Sequence, residues 1–222
     1  MEVNEIKELA EKVKENGEKR DEGRFEMICG LTLALLAAIL AIAELGGGKF
    51  RTDGAKINIE KANAYAWYDS KGIKKNLAEG QRDILISLQQ AGSISREQKE
   101  GIEKNVGSLE KKIQKYEKEQ DEILEGSKKV GPSNWVQDVD GKMGKVIGAR
   151  EYEALAESLE KADGKIDLAV LFLQISLVIG AISLMLKEDK FKLVLYFVMV
   201  GFGIIGAIAA AIGLMSGLPL IL

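Results

Sequence analysis

The chain has 222 residues, 46% of them hydrophobic and 29% charged, with 31 basic and 34 acidic side chains. Because it has no histidine and one cysteine, Cys29, a Ser-His-Asp triad, a Cys-His site, a histidine-built metal site and an internal disulfide are all excluded. The charge is segregated, since residues 27–43, 168–186 and 193–222 contain none. A water-soluble globular protein does not accommodate three such runs, so the composition predicts an integral membrane protein.

Residues 1–26 precede the first uncharged run and show helical periodicity. Val3, Ile6, Leu9 and Val13 recur every three or four residues, which predicts an amphipathic helix followed by a linker. Five Glu against three Lys up to Glu15 favour a protein partner over anionic lipid.

Residues 27–45 are predicted to form the first transmembrane helix. At a rise of about 1.5 Å per residue they just span a hydrocarbon core of roughly 30 Å. The alternative is a cleavable signal peptide, because Ala41-Ile42-Ala43 resembles a small-x-small cleavage site. The nine acidic and six basic residues in the 26 positions before it are unlike a short basic leader, so a retained span is favoured.

The charged middle of the chain is predicted to be a helical stalk. After a glycine-rich joint at residues 46–56, residues 57–130 are expected to form an antiparallel coiled-coil hairpin that reverses near residues 91–93. Ser95 and Gln98 have the spacing of a capping box at the start of the second arm. That arm has a seam with strict 4-3 spacing: Ile102, Val106, Leu109, Ile113, Tyr116, Gln120 and Ile123. The first arm has a looser stripe, expected to pack in the same hairpin: Ile59, Ala66, Ile73, Leu77, Ile84 and Leu88.

The rest of the chain is predicted to return to the membrane. An irregular loop at residues 131–148 leads into one helix at residues 149–186, which carries the stalk into a second transmembrane span. The link at residues 187–192 is so short that the third span, residues 193–214, must run antiparallel to the second. Residues 215–222 form a tail.

Small residues recur every three or four positions along each predicted span, which favours close helix packing, within the chain or between copies. They are Gly30, Ala34, Ala37 and Ala41 in the first span, Ser176, Gly180 and Ser183 in the second, and Gly203, Gly206, Ala210, Gly213 and Gly217 in the third. Gln174 lies within the second span, where it predicts an interhelical hydrogen bond or, as the alternative, a pore-lining role.

Basic residues favour one orientation. Nine lie in residues 1–26 and in the link at 187–192, against seven next to the opposite ends of the spans. The positive-inside rule therefore predicts a cytoplasmic amino terminus and link, with the helical stalk outside the cytoplasm.

Two apparent binding motifs fail on spacing. Gly46-Gly47-Gly48-Lys49 is followed by Phe50 and lacks the phosphate-loop pattern. The loop at residues 138–141 would place Val136 and Ile147 where a calcium loop needs carboxylates. With 22 basic and 22 acidic residues at 49–167, the stalk has no basic face for nucleic acid. No cofactor, metal or small-molecule substrate is predicted.

Residues 61–74, which read KANAYAWYDSKGIK, resemble the signature of an uncharacterised prokaryotic membrane family, domain of unknown function 4337. The resemblance covers the aromatic pair Trp67 and Tyr68, Lys71, and the overall layout of a first span, a Lys/Glu-rich helical hairpin and two closing spans. It implies this architecture and assigns no reaction.

Two functions fit these observations. The first is a structural or scaffolding protein that forms a homo-oligomer in the cell membrane. Tyr65, Trp67 and Tyr68 lie off the narrow seam and need further burial, either by the helix at residues 150–166 or by another chain, and another chain is preferred. The second is a subunit of an oligomeric channel or transporter, lined by Gln174, Ser176 and Ser183. An enzyme is not expected, because no catalytic constellation is present.

Overall fold

A computed structural model of the chain describes the backbone of residues 2–91, 95–186 and 188–220, and the side chains from residue 23 onward in those ranges except residues 189 and 220. Almost all of this backbone is helical, so the fold class is all-α. The helices are α1 (Glu2–Gln90), α2 (Arg96–Glu125), α3 (Ser127–Val130), α4 (Ala149–Met185) and α5 (Asp189–Gly217), with 3-10 turns at Pro132–Asn134 and Leu218–Leu220 and a short antiparallel ladder of β1 (Asp138–Val139) and β2 (Lys142–Met143).

The fold divides into two compact units. The apolar unit comprises residues 1–52 and 159–222, and the charged unit comprises residues 53–158. Helices α1, α4 and α5 each contain a stretch that is long and apolar enough to cross a membrane. These stretches contain the first uncharged run of the sequence and most of the other two.

Helix α5 approaches the other helices of the apolar unit through glycine. A Cβ atom built on Gly206 would lie 2.8 Å from Leu173 Cγ of α4, and one on Gly203 would lie 2.6 Å from Leu36 Cδ2 of α1. Real Cβ atoms essentially never come within 3.0 Å of another heavy atom. Glycine therefore allows these backbones to approach more closely than any side chain would permit.

Buried side chains fill the space between α1, α4 and α5: Cys29, Leu36, Leu173 and Met199. Two buried serines satisfy their hydroxyl groups across the α4–α5 contact. Ser176 Oγ donates to the Met199 carbonyl oxygen at 2.7 Å, and Ser183 Oγ donates to the Lys192 carbonyl oxygen at 2.9 Å. The contact between α4 and α5 is therefore both close-packed and hydrogen-bonded.

The structure differs from the prediction at residues 46–56, which form no joint but continue α1 as helix. Glycine in an isolated helix costs about 1 kcal/mol per residue relative to alanine. Here Gly46 contacts the Leu214 side chain, and a Cβ atom on Gly47 would lie 3.0 Å from Ile166 Cγ2. Tertiary packing therefore overrides local propensity, because these glycines admit neighbouring helices.

In the charged unit, α2 begins at a capping box. The Gln98 backbone N–H donates to Ser95 Oγ at 3.3 Å, and the Ser95 backbone N–H donates to Gln98 Oε1 at 2.9 Å. The predicted start of the second arm is confirmed, because the reciprocal bonds satisfy backbone donors that a helix start leaves free.

Side-chain contacts pair α2 with α1 in opposite directions. Lys75 Nζ donates to Glu117 Oε1 at 3.5 Å, and Gln89 Nε2 donates to Glu103 Oε1 at 3.1 Å. From Lys75 to Gln89 the residue number rises along α1, while the number of the contacted residue on α2 falls from Glu117 to Glu103. The two helices are therefore antiparallel.

A buried carboxylate anchors the segment at residues 131–148, which was predicted to be irregular. Glu122 Oε2 accepts the backbone N–H groups of Val136 and Gln137, each at 2.8 Å, and its Oε1 accepts Ser127 Oγ–H at 2.7 Å. Charge-assisted bonds of this kind are the stronger ones in proteins. One side chain of α2 thus holds the loop, which contains a 3-10 turn and the β1–β2 ladder.

We predict that Gly206→Leu destabilises the apolar unit, because the new side chain collides with Leu173 and with the Ala169 carbonyl oxygen. Overpacking of this kind costs about 1–3 kcal/mol. Gly201→Leu is the matched control, since Gly201 is an exposed glycine of the same helix with no atom within 4 Å of its Cβ position. Thermal unfolding in detergent, followed by circular dichroism, should show a lower midpoint for Gly206→Leu only; equal midpoints would contradict the packing described.

Candidate interaction surfaces

The small residues predicted for packing on α4 and α5 are all buried within the chain's own apolar unit. They are Ser176, Gly180, Ser183, Gly203, Gly206, Ala210, Gly213 and Gly217. Gly180, for example, contacts the Met199 side chain, and Gly217 contacts the ring of Phe50. These two stripes form contacts within one chain and leave no room for a second copy.

The small residues predicted on α1 have a different environment, because all four are exposed: Gly30, Ala34, Ala37 and Ala41. The face of α1 that packs in the apolar unit is the neighbouring one, with buried Cys29, Leu36, Ala43 and Phe50 at seven-residue intervals. A Cβ atom on Gly30 would meet nothing within 4 Å. The small-residue face of α1 is thus left uncovered by the residues that the structure describes.

Gln174 also faces away from the packed helices. Its side chain is exposed, and the described residues offer it no hydrogen-bond partner. The two serines named with it as pore-lining candidates, Ser176 and Ser183, are instead buried and bonded to backbone carbonyl oxygens of α5. Of these three polar residues, only Gln174 is accessible from outside the chain.

The motif residue Lys71 forms an ion pair with α2. Its Nζ lies 2.7 Å from Glu119 Oε2, and the two side chains are 14% and 5% exposed. Among the described residues, Glu119 Oε2 has no hydrogen-bond partner, and the one further cation paired with this carboxylate is Lys115, whose Nζ lies 3.7 Å from Oε1. Lys71 therefore compensates a buried negative charge, and nothing in this geometry leaves it available to a ligand.

Two aromatic residues in the 61–74 segment, Tyr65 and Trp67, lie near the start of α4. Tyr65 Oη donates to Glu153 Oε2 at 3.1 Å. Trp67 lines a shallow cavity of about 220 Å³ together with Tyr152 and Lys145. The expectation that these rings need cover beyond α2 is met in part within the chain.

A charge cluster joins the end of α2 to the start of α4. Glu125 accepts hydrogen bonds from Lys129 and from Arg150. The hydrogen bond from Lys129, reinforced by the charge of Arg150, holds the pKa of the Glu125 carboxyl below its ordinary value of 4.5. Glu125 is therefore ionised at neutral pH and attracts both cations.

The main apolar stripe of the charged unit is exposed. We call it the α1 stripe: Ile59, Ile73, Leu77, Ile84 and Leu88, which are 53–69% exposed. The expectation that these residues pack in the hairpin is wrong. The face of α1 that is buried there includes Ala64 and Ala78, at 8% and 5% exposure, because short side chains let α2 approach closely.

On α2, by contrast, all seven residues of the predicted seam are buried or half-buried.

The sequence did contain a signal for the face of α1 that is buried against α2. Ala64, Lys71 and Ala78 are spaced by seven residues, and a lysine between two alanines suits a close contact with an acidic partner such as Glu119. Hydrophobicity alone instead predicted that the α1 stripe is the buried face.

The profile of one protein family, described as a domain of unknown function (DUF4337), matches residues 25–216. The chain belongs to the DUF4337 family. The match takes in both units and the Trp67–Lys71 motif, so the resemblance inferred from the sequence is confirmed. A search of curated proteins and a search of solved structures each returned no match.

We predict that Lys71→Met destabilises this DUF4337 protein, because it leaves the buried Glu119 carboxylate without its nearest cation. Breaking a buried pair from one side costs about 3–5 kcal/mol. The double variant Lys71→Met/Glu119→Met should recover most of the loss, since no unpaired charge remains. Urea unfolding monitored by tryptophan fluorescence measures the free energy of unfolding of the single and the double variant. If Lys71→Met is as stable as the parent chain, the ion pair does not hold α1 to α2.

Proposed function

We propose that this DUF4337 protein is a structural protein of the cell membrane that assembles into a homo-oligomer. In this proposal α1, α4 and α5 cross the bilayer, and the charged unit stands outside it as an antiparallel coiled-coil hairpin of α1 with α2. Membrane lipid and further copies of the chain are its partners. It needs no cofactor, and its role is not enzymatic.

The ends of the apolar unit support insertion in a bilayer. At one end, Arg51 of α1 lies 3.4 Å from Asp163 and 3.5 Å from Asp167 of α4. At the other end, the rings of Phe25 and Tyr196 meet edge to face at 5.7 Å. From residue 25 to residue 51 the helix rises through 26 steps, or about 39 Å, close to the roughly 40–45 Å of a bilayer with its headgroups. Aromatic rings and charges are typical of these interfaces.

The α1 stripe carries the assembly proposal. Five large aliphatic side chains, more than half exposed, lie along one helix in an otherwise charged unit. Contiguous apolar surface of this kind marks an interaction site. The uncovered small-residue face of α1 in the apolar unit gives second support, since small residues are how helices approach each other in lipid.

The orientation we propose follows the basic residues. The amino-terminal segment and the link at residues 187–192 lie in the cytoplasm, because this short link contains three lysines and short loops follow the positive-inside rule. The charged unit then lies on the opposite side of the membrane.

Particle mass tests the assembly. Light scattering, with the detergent contribution subtracted, should give the solubilised particle a protein mass of at least two 24.2 kDa chains. Leu77→Lys/Ile84→Lys should reduce it, because two charges on the stripe oppose burial. Lys104→Glu/Lys111→Glu, a double charge change at exposed positions of α2, should leave it unchanged. A strictly monomeric parent particle would refute the proposal.

A channel subunit is the second candidate, and the exposed, unpartnered Gln174 is the observation that favours it. A polar side chain in a span faces either another helix or a water-filled path. In a Cys29→Ala background, Gln174→Cys in native membranes should react rapidly with a small charged methanethiosulfonate reagent if it lines such a path. We expect slow reaction, at the rate of Val178→Cys, a neighbouring exposed position; rapid reaction would favour the channel.

A further inference from the structure

Four of the five α1 stripe residues, Ile59, Ile73, Leu77 and Ile84, belong to a heptad pattern, and Leu88 lies beside it. Along α1, Ile59, Asn63, Ala66, Ser70, Ile73, Leu77, Gly80 and Ile84 follow each other at alternating spacings of four and three residues, and all eight are exposed. Such spacing keeps side chains on one narrow face of a helix that can supercoil with a second helix. The exposed face extends along about 38 Å of helix, at 1.5 Å per residue, and near its amino-terminal end Asn63 also lines the cavity beside Tyr152 and Lys145.

We propose that α1 of a second copy occupies this face, parallel and in register, so that each stripe residue meets its own counterpart. The inference rests on the proposed homo-oligomer in the membrane and specifies how its copies meet. Because copies inserted with one topology have the same direction, equivalent segments of α1 run parallel. An antiparallel pairing would need copies of opposite orientation.

The charges beside the stripe favour the same arrangement. In heptad terms Asp69 is a g position and Lys74 is the following e position, and in a parallel pair g of one helix faces the next e of its partner. Asp69 would therefore meet Lys74 of the second copy, twice per pair. Both are exposed, and within the described residues neither has an ion-pair partner in its own chain. In an antiparallel pair, g faces g and e faces e, so this contact is lost.

The polar and small core positions support this register. Asn63 occupies an a position, where a single asparagine specifies register by bonding to its counterpart in the partner helix. Gly80 is a d position, and a Cβ atom built there would meet no described side chain or neighbouring element within 4 Å. It leaves space for the large side chains Leu77 and Ile84 of the opposing helix.

Disulfide crosslinking tests the direction and the register together. In the full-length Cys29→Ala chain, single cysteines are placed at Ile59, Leu77 and Ile84 and oxidised with copper phenanthroline in native membranes. A parallel in-register pair predicts that all three variants form disulfide-linked dimers, because each position faces itself. Lys111→Cys, at an exposed position of α2 away from the seam, is the control and should remain monomeric on a non-reducing gel.

The other outcomes separate this inference from the proposed function. An antiparallel pair allows self-linking at one position at most, near its twofold axis, and would overturn the parallel register. If none of the three cysteine variants forms a disulfide-linked dimer while the particle still contains two or more chains, the inference is wrong and the homo-oligomer stands. If the particle is a monomer, both fail.

A charge swap supplies an independent readout. Asp69→Lys should raise the dissociation constant of the copies about two- to tenfold, because each attraction becomes a repulsion at a solvent-exposed pair. Asp69→Lys/Lys74→Asp should restore the parent value, since the pair is re-formed with reversed sign. Equilibrium sedimentation in detergent measures all three chains. Failure of the double variant to recover, with the single variant impaired, would overturn the predicted contact.

Discussion

A helix buries only those faces for which it has neighbours, and α1 carries more apolar faces than α2, α4 and α5 cover. In the apolar unit it buries the face of Cys29 and Leu36, and in the charged unit the face of Ala64 and Ala78. The α1 stripe is left more than half exposed, whereas complete burial of a large aliphatic side chain is worth about 1.5–3 kcal/mol. This unmet burial is the physical basis of the proposed assembly.

Short side chains decide which faces are covered. Gly203 and Gly206 of α5 have no side chain that would collide with the neighbouring helices. Where α1 meets α2, the buried residues Ala64 and Ala78 have short side chains. Close backbone approach increases dispersion contacts along the whole interface. In both units, small residues lie in the buried contact, and large aliphatic residues elsewhere on α1 are exposed.

Buried charges in the charged unit are held by specific partners. Glu122 accepts hydrogen bonds from two backbone N–H groups and a serine, and Glu119 is paired with Lys71. Burying a carboxylate is costly unless it is paired or hydrogen-bonded. The family motif around Lys71 thus contributes an ion pair to the contact between α1 and α2, whereas Asp69 and Lys74 of the same motif are exposed.

The sequence alone predicted the helical elements, because length, charge and capping chemistry are local properties. These elements are the three uncharged helical runs, the capping box at Ser95 and Gln98, and the end of α1 near Gln90. Two features were decided only by tertiary structure. Residues 46–56 are helical, since Gly46 and Gly47 pack against other helices. The α1 stripe faces outward, since the choice between two faces of one helix depends on how closely a partner can approach, and periodicity along a single chain does not contain that distance.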